Sequence, residues 1–221
     1  MNKTPVLASS LPNRALLQRI ASLLSGHVSM HLPQADSRHI RVLEGRKPAP
    51  KSSADATHTF FVTFAAPVFT ASCGELSRSR LGNAQRAGLV LLLKSLDGNS
   101  LYVEVERPSK DPESIRVSTG SITGDLEKAF VRSEASEDSR RKKSEIRILR
   151  ISAMHLSAVW RHIPANPDAD RIVPYTANFG GVKNGRAYSF RRADRILTNS
   201  AIQIILRWYE RYQKELAVRQ P

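Results

Sequence analysis

Two clusters of arginine and lysine in the last third of the chain have the residue types and spacing of an anion-binding site. The first cluster is Arg140, Arg141, Lys142 and Lys143, followed by Arg147 and Arg150. The second cluster is Lys183, Arg186, Arg191, Arg192 and Arg195, beside the glycines of residues 178–185. Guanidinium groups pair bidentately with phosphate and carboxylate, and glycines let backbone amides approach an anion closely. The sequence therefore predicts that these side chains contact an anion.

Two aromatic residues interleave with the second cluster, Tyr188 and Phe190. Aromatic rings stack on unpaired bases without regard to base identity, so both rings are predicted to stack if the anion is a nucleic acid. No helix-turn-helix, zinc-finger, RNP or KH pattern accompanies them. The prediction therefore depends on charge rather than on a recognition motif.

The charge of the chain is concentrated at its C-terminal end. Residues 140–221 hold 17 Lys and Arg against six Asp and Glu, a net charge of +11 out of +14 for the chain. Residues 97–139 hold five against ten, a net charge of −5. A regional excess of positive charge attracts phosphate backbones, acidic lipids or acidic proteins. We therefore expect a binding protein that engages a polyanion, foremost nucleic acid, through its basic C-terminal half.

Two other functions remain open at this stage. The first alternative is an interaction module or adaptor subunit that meets an acidic protein partner, with the C-terminal helix as a second docking element. Residues Trp208, Tyr209 and Tyr212 lie near arginines in that helix, a composition typical of protein interfaces. The second alternative is an enzyme whose site is assembled from residues distant in sequence. It predicts a pocket formed by several of His155, His162, Asp168, Arg171 and Tyr175.

No catalytic, metal or cofactor signature is visible in the chain, so a non-enzymatic function is favoured and no cofactor is predicted. His27 and His31 are one helical turn apart but lack the glutamate of a zincin motif between them. Cys73 is the single cysteine, which excludes an intrachain disulfide and a cysteine-based zinc site. No apolar run approaches the ~20 residues that a transmembrane helix needs.

The elements that position these residues are predicted to form an α+β fold, a mostly antiparallel sheet flanked by an N-terminal and a C-terminal amphipathic helix. The first helix is expected over residues 13–30, and the last has its apolar face between Ile196 and Tyr212. An Asp-Gly turn at residues 97–100 predicts a β-hairpin. Residues 145–162 are expected to form one long bulged strand or two strands, with a helix as the alternative for the second part.

Two segments without hydrophobic periodicity, residues 46–57 and 133–143, are predicted to be mobile loops. We expect a single domain over residues 1–221, with a domain boundary near 133–143 as the alternative. The single cysteine favours a reducing compartment, and we expect a cytoplasmic location. Residues 1–35 contain three basic residues and no acid, so import into an organelle through this segment is the alternative.

Overall fold

The computed structural model describes residues 14–31, 41–44, 59–79, 81–95, 98, 100–106, 114–118, 120–134, 144–179 and 181–219. Its helices and mostly antiparallel strand pairs confirm the α+β class. The chain divides into two compact units: unit 1 is Met1–Pro67 with Ala87–Gly124, and unit 2 is Val68–Arg86 with Asp125–Pro221. The single domain, like its alternative boundary, stays a prediction.

Unit 1 contains a helix and a set of strands. The elements are α1 (Arg14–His31), β1 (Arg41–Glu44), β2 (Thr59–Thr70), β3 (Gln85–Ser95), β4 (Ser100–Glu106) and β5 (Ser114–Ser118). The strand order is β5–β4–β3–β2, and β1 pairs with β2 in parallel. The last three residues of β2 and the first two of β3 belong to unit 2.

The N-terminal helix α1 packs on the strands of unit 1. It buries Leu16, Leu17, Ile20 and Leu24, which join an apolar cluster with residues such as Val103. These positions recur at the three- and four-residue spacing that the sequence shows, because only that spacing keeps side chains on one helix face.

The hairpin is confirmed as β3 and β4. Leu89 lies opposite Val105 in an antiparallel register, and Gly98 in the connection has a φ of 94°. Glycine adopts this left-handed conformation without the steric cost that other residues meet. The pairing also brings Gly88 so close to the carbonyl oxygen of Val105 that a Cβ at this position would overlap it.

Unit 2 carries the basic C-terminal part of the chain. Its elements are α2 (Cys73–Ser79), most of α3 (Ser121–Glu134), β6 (Glu145–Ile151), β7 (Leu156–His162), β8 (Arg171–Thr176), β9 (Tyr188–Ser189) and α4 (Phe190–Arg219). The end of β2 pairs in parallel with β6, and β6–β7–β8–β9 follow as antiparallel neighbours. Residues 145–162 therefore form two strands, joined by a 3-10 turn at Ser152–Met154.

One face of the unit 2 sheet packs against α2 and α4. Leu149, Trp160 and Ile172 of the strands share an apolar cluster with Leu76 of α2 and Leu197 of α4. A capping box starts α2: the Ser72 N–H donates to Glu75 Oε2 at 2.7 Å, and the Glu75 N–H donates to Ser72 Oγ at 3.1 Å. Because Leu197 lies in this apolar cluster, the first part of the 30-residue helix α4 is anchored to the sheet.

The predicted mobile loops need one correction. Ser133 and Glu134 end helix α3 instead of starting a loop, because the Ser133 side chain is buried and its hydroxyl donates to the Phe130 carbonyl at 2.7 Å. The rest of that segment, residues 135–143, and the whole of 46–57 lie outside the described residues. Across the part of the chain that is described, no helix is long and apolar enough to cross a membrane.

Candidate functional site

A cleft of about 1000 Å³ lies along the first turns of α4 in unit 2. Three arginines of the second basic cluster line it, Arg191, Arg192 and Arg195, together with the half-buried ring of Phe190. The other lining residues are Gly82, Asp168, Ser189, Asp194, Thr198 and Asn199. Arg195 lies about one helical turn from both other arginines, at i+4 from Arg191 and i+3 from Arg192, so the three occupy neighbouring parts of the helix surface. The sequence predicted these residues as anion contacts but did not extend the C-terminal helix back to Arg191 and Arg192.

The start of α4 is held by a buried carboxylate, Asp170. Its Oδ2 accepts a hydrogen bond from Trp160 Nε1 at 2.7 Å, and its Oδ1 accepts one from the Ile163 N–H at 2.7 Å. The Nδ1 of His162 lies 2.8 Å from the same Oδ2. The backbone carbonyl of Asp170 accepts the Phe190 N–H at 3.1 Å. Asp170 therefore links the end of β7 to the first residue of α4 and sets where the cleft begins.

Aromatic side chains continue this support beneath the cleft. The Phe190 ring stacks on Trp160 with ring centroids 5.8 Å apart and an angle of 29° between the planes. The Phe69 ring meets Trp160 edge-on, with centroids also 5.8 Å apart. Such pairs stabilise the arrangement by roughly 0.5–1.5 kcal/mol beyond the area that they bury. Phe190 thus lines the cleft from a fixed position.

The two carboxylates that line the cleft already have partners. Arg191 donates to Asp168 through Nε at 3.0 Å and through Nη2 at 2.7 Å, a bidentate pair on the surface. Asp194 is buried and its Oδ1 accepts the Leu81 N–H at 2.7 Å. The hydrogen bonds from Arg191 lower the pKa of Asp168, and those same bonds raise the pKa of Arg191.

Arg192 and Arg195 are the cations of the cleft that keep their charge available. Neither forms an ion pair with any residue that the structure describes. The guanidinium of Arg192 lies over the Tyr188 ring, 5.8 Å from its centroid, and Arg186 lies 5.7 Å from the same ring. This arrangement orients Arg192 without neutralising it.

The remaining residues of the second cluster precede the helix. Lys183 and Arg186 are exposed in the connection to β9, and the Lys183 N–H donates to the Tyr188 hydroxyl at 2.9 Å. Tyr188 itself is only 3% exposed, and two guanidinium groups lie near its ring. Its ring therefore offers a base little surface, whereas Phe190 lines the cleft. Stacking by either ring stays a prediction.

The first basic cluster does not form one surface within the described residues. Arg140, Arg141, Lys142 and Lys143 lie outside them. Arg147 and Arg150 alternate along β6 and so lie on opposite faces of the sheet. The Arg147 guanidinium is 4.7 Å from the Phe69 ring centroid and 5.1 Å from that of Trp160, and its Nη2 bonds to Glu145 at 2.8 Å.

Part of the basic excess is engaged within unit 2. Arg161 is 7% exposed and donates to the Ser133 carbonyl at 3.2 Å and to Ser144 Oγ at 2.8 Å. Arg132 donates to the carbonyl of Gly185. Because Arg161 and Arg132 already form hydrogen bonds within unit 2, the net charge of the segment does not by itself show which basic residues could contact an anion.

The enzyme hypothesis predicted a pocket that gathers several of five side chains. Of these, Asp168 lines the cleft, whereas His162 contacts the buried Asp170 and Tyr175 is 2% exposed in the sheet. Cys73 is buried, and burial raises the pKa of its thiol, which disfavours a nucleophilic thiolate. Over the described residues no group of three His, Cys, Asp or Glu side chains is arranged to hold a metal.

The residues that sequence reasoning missed are the acids beside the basic cluster. The enzyme hypothesis includes Asp168 but not Asp170, and it connects neither acid with the arginines. Asn166-Pro167-Asp168 is turn chemistry, but β8 and β9 separate this turn from α4, and the pairing of Asp168 with Arg191 spans 23 residues. Comparison with protein-family models, curated proteins and solved structures finds no match for this chain, so its function has to be inferred from the site itself.

Proposed function

We propose that unit 2 binds a polyanion, with nucleic acid as the leading ligand, in the cleft along the first turns of α4. One observation carries the proposal: three arginines line a single cleft whose two carboxylates are already engaged. The Leu81 N–H is uncharged and does not neutralise Asp194, so the three arginines and two aspartates give the lining of the cleft a net formal charge of +1. Arg192 and Arg195 form no ion pair with a described residue, and guanidinium groups are the preferred partners of phosphate oxygens. Arg186 adds positive charge beside Arg192, because both guanidinium groups lie at the Tyr188 ring.

The direction of α4 supports the same ligand. The aligned peptide dipoles of a helix place partial positive charge at its N-terminal end, which here coincides with Arg191 and Arg192. An anion bound in the cleft would meet side-chain and backbone charge of the same sign. Asp170 fixes the first residue of the helix, so the partial charge of the helix N-terminus and the charge of the arginine side chains act at the same place.

The aromatic ring favours nucleic acid over an acidic protein. Phe190 lines the cleft beside the arginines and is held by Trp160. Ring and cation side by side form the combination that binds a base together with its phosphate. An acidic protein partner needs the cations alone, so it remains the second candidate and an outcome of the test.

The test is a titration of the full chain with a fluorescent single-stranded oligonucleotide, followed by anisotropy between about 50 and 200 mM salt. We expect affinity to fall as salt rises, with a slope of roughly 0.7 per phosphate contact on a double-logarithmic plot, the value for single strands. The double substitution Arg192→Glu with Arg195→Glu should weaken binding at least about tenfold and should lower that slope by roughly 1.4, the share of two phosphate contacts.

A matched control is available on the same helix. Arg207 and Arg211 are exposed in the C-terminal half of α4, outside the cleft, and their reversal to Glu changes the charge by the same amount. Absence of binding at low salt, or an equal loss from the control, would contradict the cleft as the site. Binding of polyglutamate as tight as that of the oligonucleotide would favour the acidic-protein alternative.

We also propose a cytoplasmic location, with import through residues 1–35 as the alternative. The acid-free, basic composition of that segment supports the alternative. Fusion of residues 1–35 to a fluorescent reporter separates the two: a reporter that stays in the cytoplasm supports the first, and one that moves into an organelle supports the second.

A further inference from the structure

The C-terminal half of α4 exposes a continuous apolar stripe. Ile202, Ile205, Tyr209, Tyr212 and Leu216 follow one another at intervals of three and four residues, and each is between 38% and 57% exposed. That spacing places them on one side of a helix. Nothing comparable occurs earlier in the same helix, where Ala193, Leu197 and Ala201 are buried in unit 2.

Two further residues widen the stripe. Leu206 is 48% exposed and Trp208 is 68% exposed, and they flank the row of five on either side. The Trp208 and Tyr212 rings stack almost parallel, with centroids 5.9 Å apart and 6° between the planes. A flat aromatic surface of this kind is typical of protein interfaces rather than of solvated helices.

The exposed area is large for a monomer. From the exposed fractions, the seven side chains together present roughly 700 Å² to solvent, close to the ~800 Å² that each partner of a standard interface buries. The largest apolar patches of monomeric proteins are about 300–600 Å². The stripe is therefore of the size that one partner of a stable complex contributes.

The charges around the stripe select the occupant. Arg207, Arg211 and Lys214 lie roughly 140–180° around the helix from its centre, while Glu215 lies next to its edge. An acidic partner would meet no basic residue of this segment at the contact. A second copy of the chain would keep its own basic side chains on the far side, so the charges of the two helices do not oppose pairing.

We propose that the chain forms a homodimer in which the 202–216 segments of α4 from two copies pack against each other through this stripe. The heptad-like row of five supplies the seam, as in a short two-helix coiled coil. This interface is separate from the anion cleft at the other end of the helix. An experiment can therefore reject the homodimer without rejecting anion binding, and the reverse.

The test is the molar mass of the full chain by sedimentation equilibrium, over a dilution series that reaches about 100 µM, where an interface with a micromolar Kd is nearly saturated. We expect a mass near twice the 24.6 kDa of one chain. Ile205→Glu combined with Tyr209→Glu should give the mass of one chain. Both side chains are exposed, so circular dichroism should show an unchanged fold.

The matched control is Arg207→Glu, which changes the charge by the same −2 at an exposed position on the far side of the helix and should leave the dimer intact. Tryptophan emission gives a second measurement, because Trp160 is buried and Trp208 is exposed. Dimerisation should shift the emission to shorter wavelength with rising concentration, and Trp208→Phe should abolish the shift. A monomeric wild type, or a dimer that survives the double substitution, would overturn the proposal.

Discussion

Trp160 and Asp170 are joined by a 2.7 Å hydrogen bond from the indole Nε1 to the carboxylate Oδ2, within the core of unit 2. Trp160 supports the Phe190 ring at the cleft, and the Asp170 carbonyl accepts the Phe190 N–H. The two residues thus hold the first residue of α4 from two directions. The position of the cleft arginines depends on this pair although neither member carries positive charge.

Replacement of Asp170 by alanine should destabilise unit 2 strongly. It leaves the Trp160 Nε1 and the Ile163 N–H without their acceptor, and a buried unsatisfied group costs about 1–3 kcal/mol. We expect a loss of about 3 kcal/mol in the free energy of unfolding, measured by urea denaturation. Asp168→Ala, two residues earlier and exposed, is the control and should change stability little. Equal losses from both variants would contradict the role assigned to Asp170.

Asp168→Asn should strengthen anion binding. The substitution removes the carboxylate that neutralises Arg191, so a third cation of the cleft becomes available. We expect the oligonucleotide Kd to fall severalfold at low salt and the salt dependence to steepen. Asp125→Asn removes the same charge from an exposed pair with Lys128 in α3. If this control tightened binding equally, the effect would reflect net charge rather than the cleft.

The pH dependence of binding follows from the lowered pKa of Asp168. Hydrogen bonds from Arg191 favour the ionised carboxylate, so Asp168 protonates only below its ordinary range. Its contribution to stability is therefore complete above the unfolded pKa and is lost as the pH falls through the folded pKa. We expect the ratio of wild-type to Asp168→Asn affinity to stay constant from about pH 5 to pH 8. A ratio that changes within this window would show that the ion pair is not maintained.

The same substitution at two glycines should have opposite effects on stability. Gly88→Ala places a methyl group on the Val105 carbonyl oxygen across the hairpin, and we expect a loss of more than about 2 kcal/mol in the free energy of unfolding. Gly124→Ala lies in α3, where the added Cβ would meet no atom within 4 Å beyond its chain neighbours and the adjacent helix backbone, and should stabilise by roughly 0.5–1 kcal/mol. Thermal unfolding followed by circular dichroism measures the stability of both variants. If both substitutions destabilised the protein, the difference in packing between the two glycine sites would be contradicted.

The α+β class, the N-terminal helix and the hairpin could be predicted from the sequence because they rest on local patterns. The apolar spacing of α1 and the Asp-Gly turn before β4 each lie within a few residues of the element that they specify. For residues 145–162 the sequence predicted two strands only as one of its alternatives. The apolar residues change face near Ser152, which indicates a break there, but the choice between one bulged strand and two depended on the 3-10 turn at Ser152–Met154.

The sequence by itself determined which residues could meet an anion and on which part of the chain they lie. Only the tertiary structure decided that Arg191, Arg192 and Arg195 share a cleft, whereas Arg147 and Arg150 lie on opposite sheet faces. The physical reason is that charge is a property of single residues, while availability depends on neighbours distant in sequence. The pairing of Asp168 with Arg191 across 23 residues, and of Leu81 with Asp194 across 113, arises only when the sheet and α4 pack together.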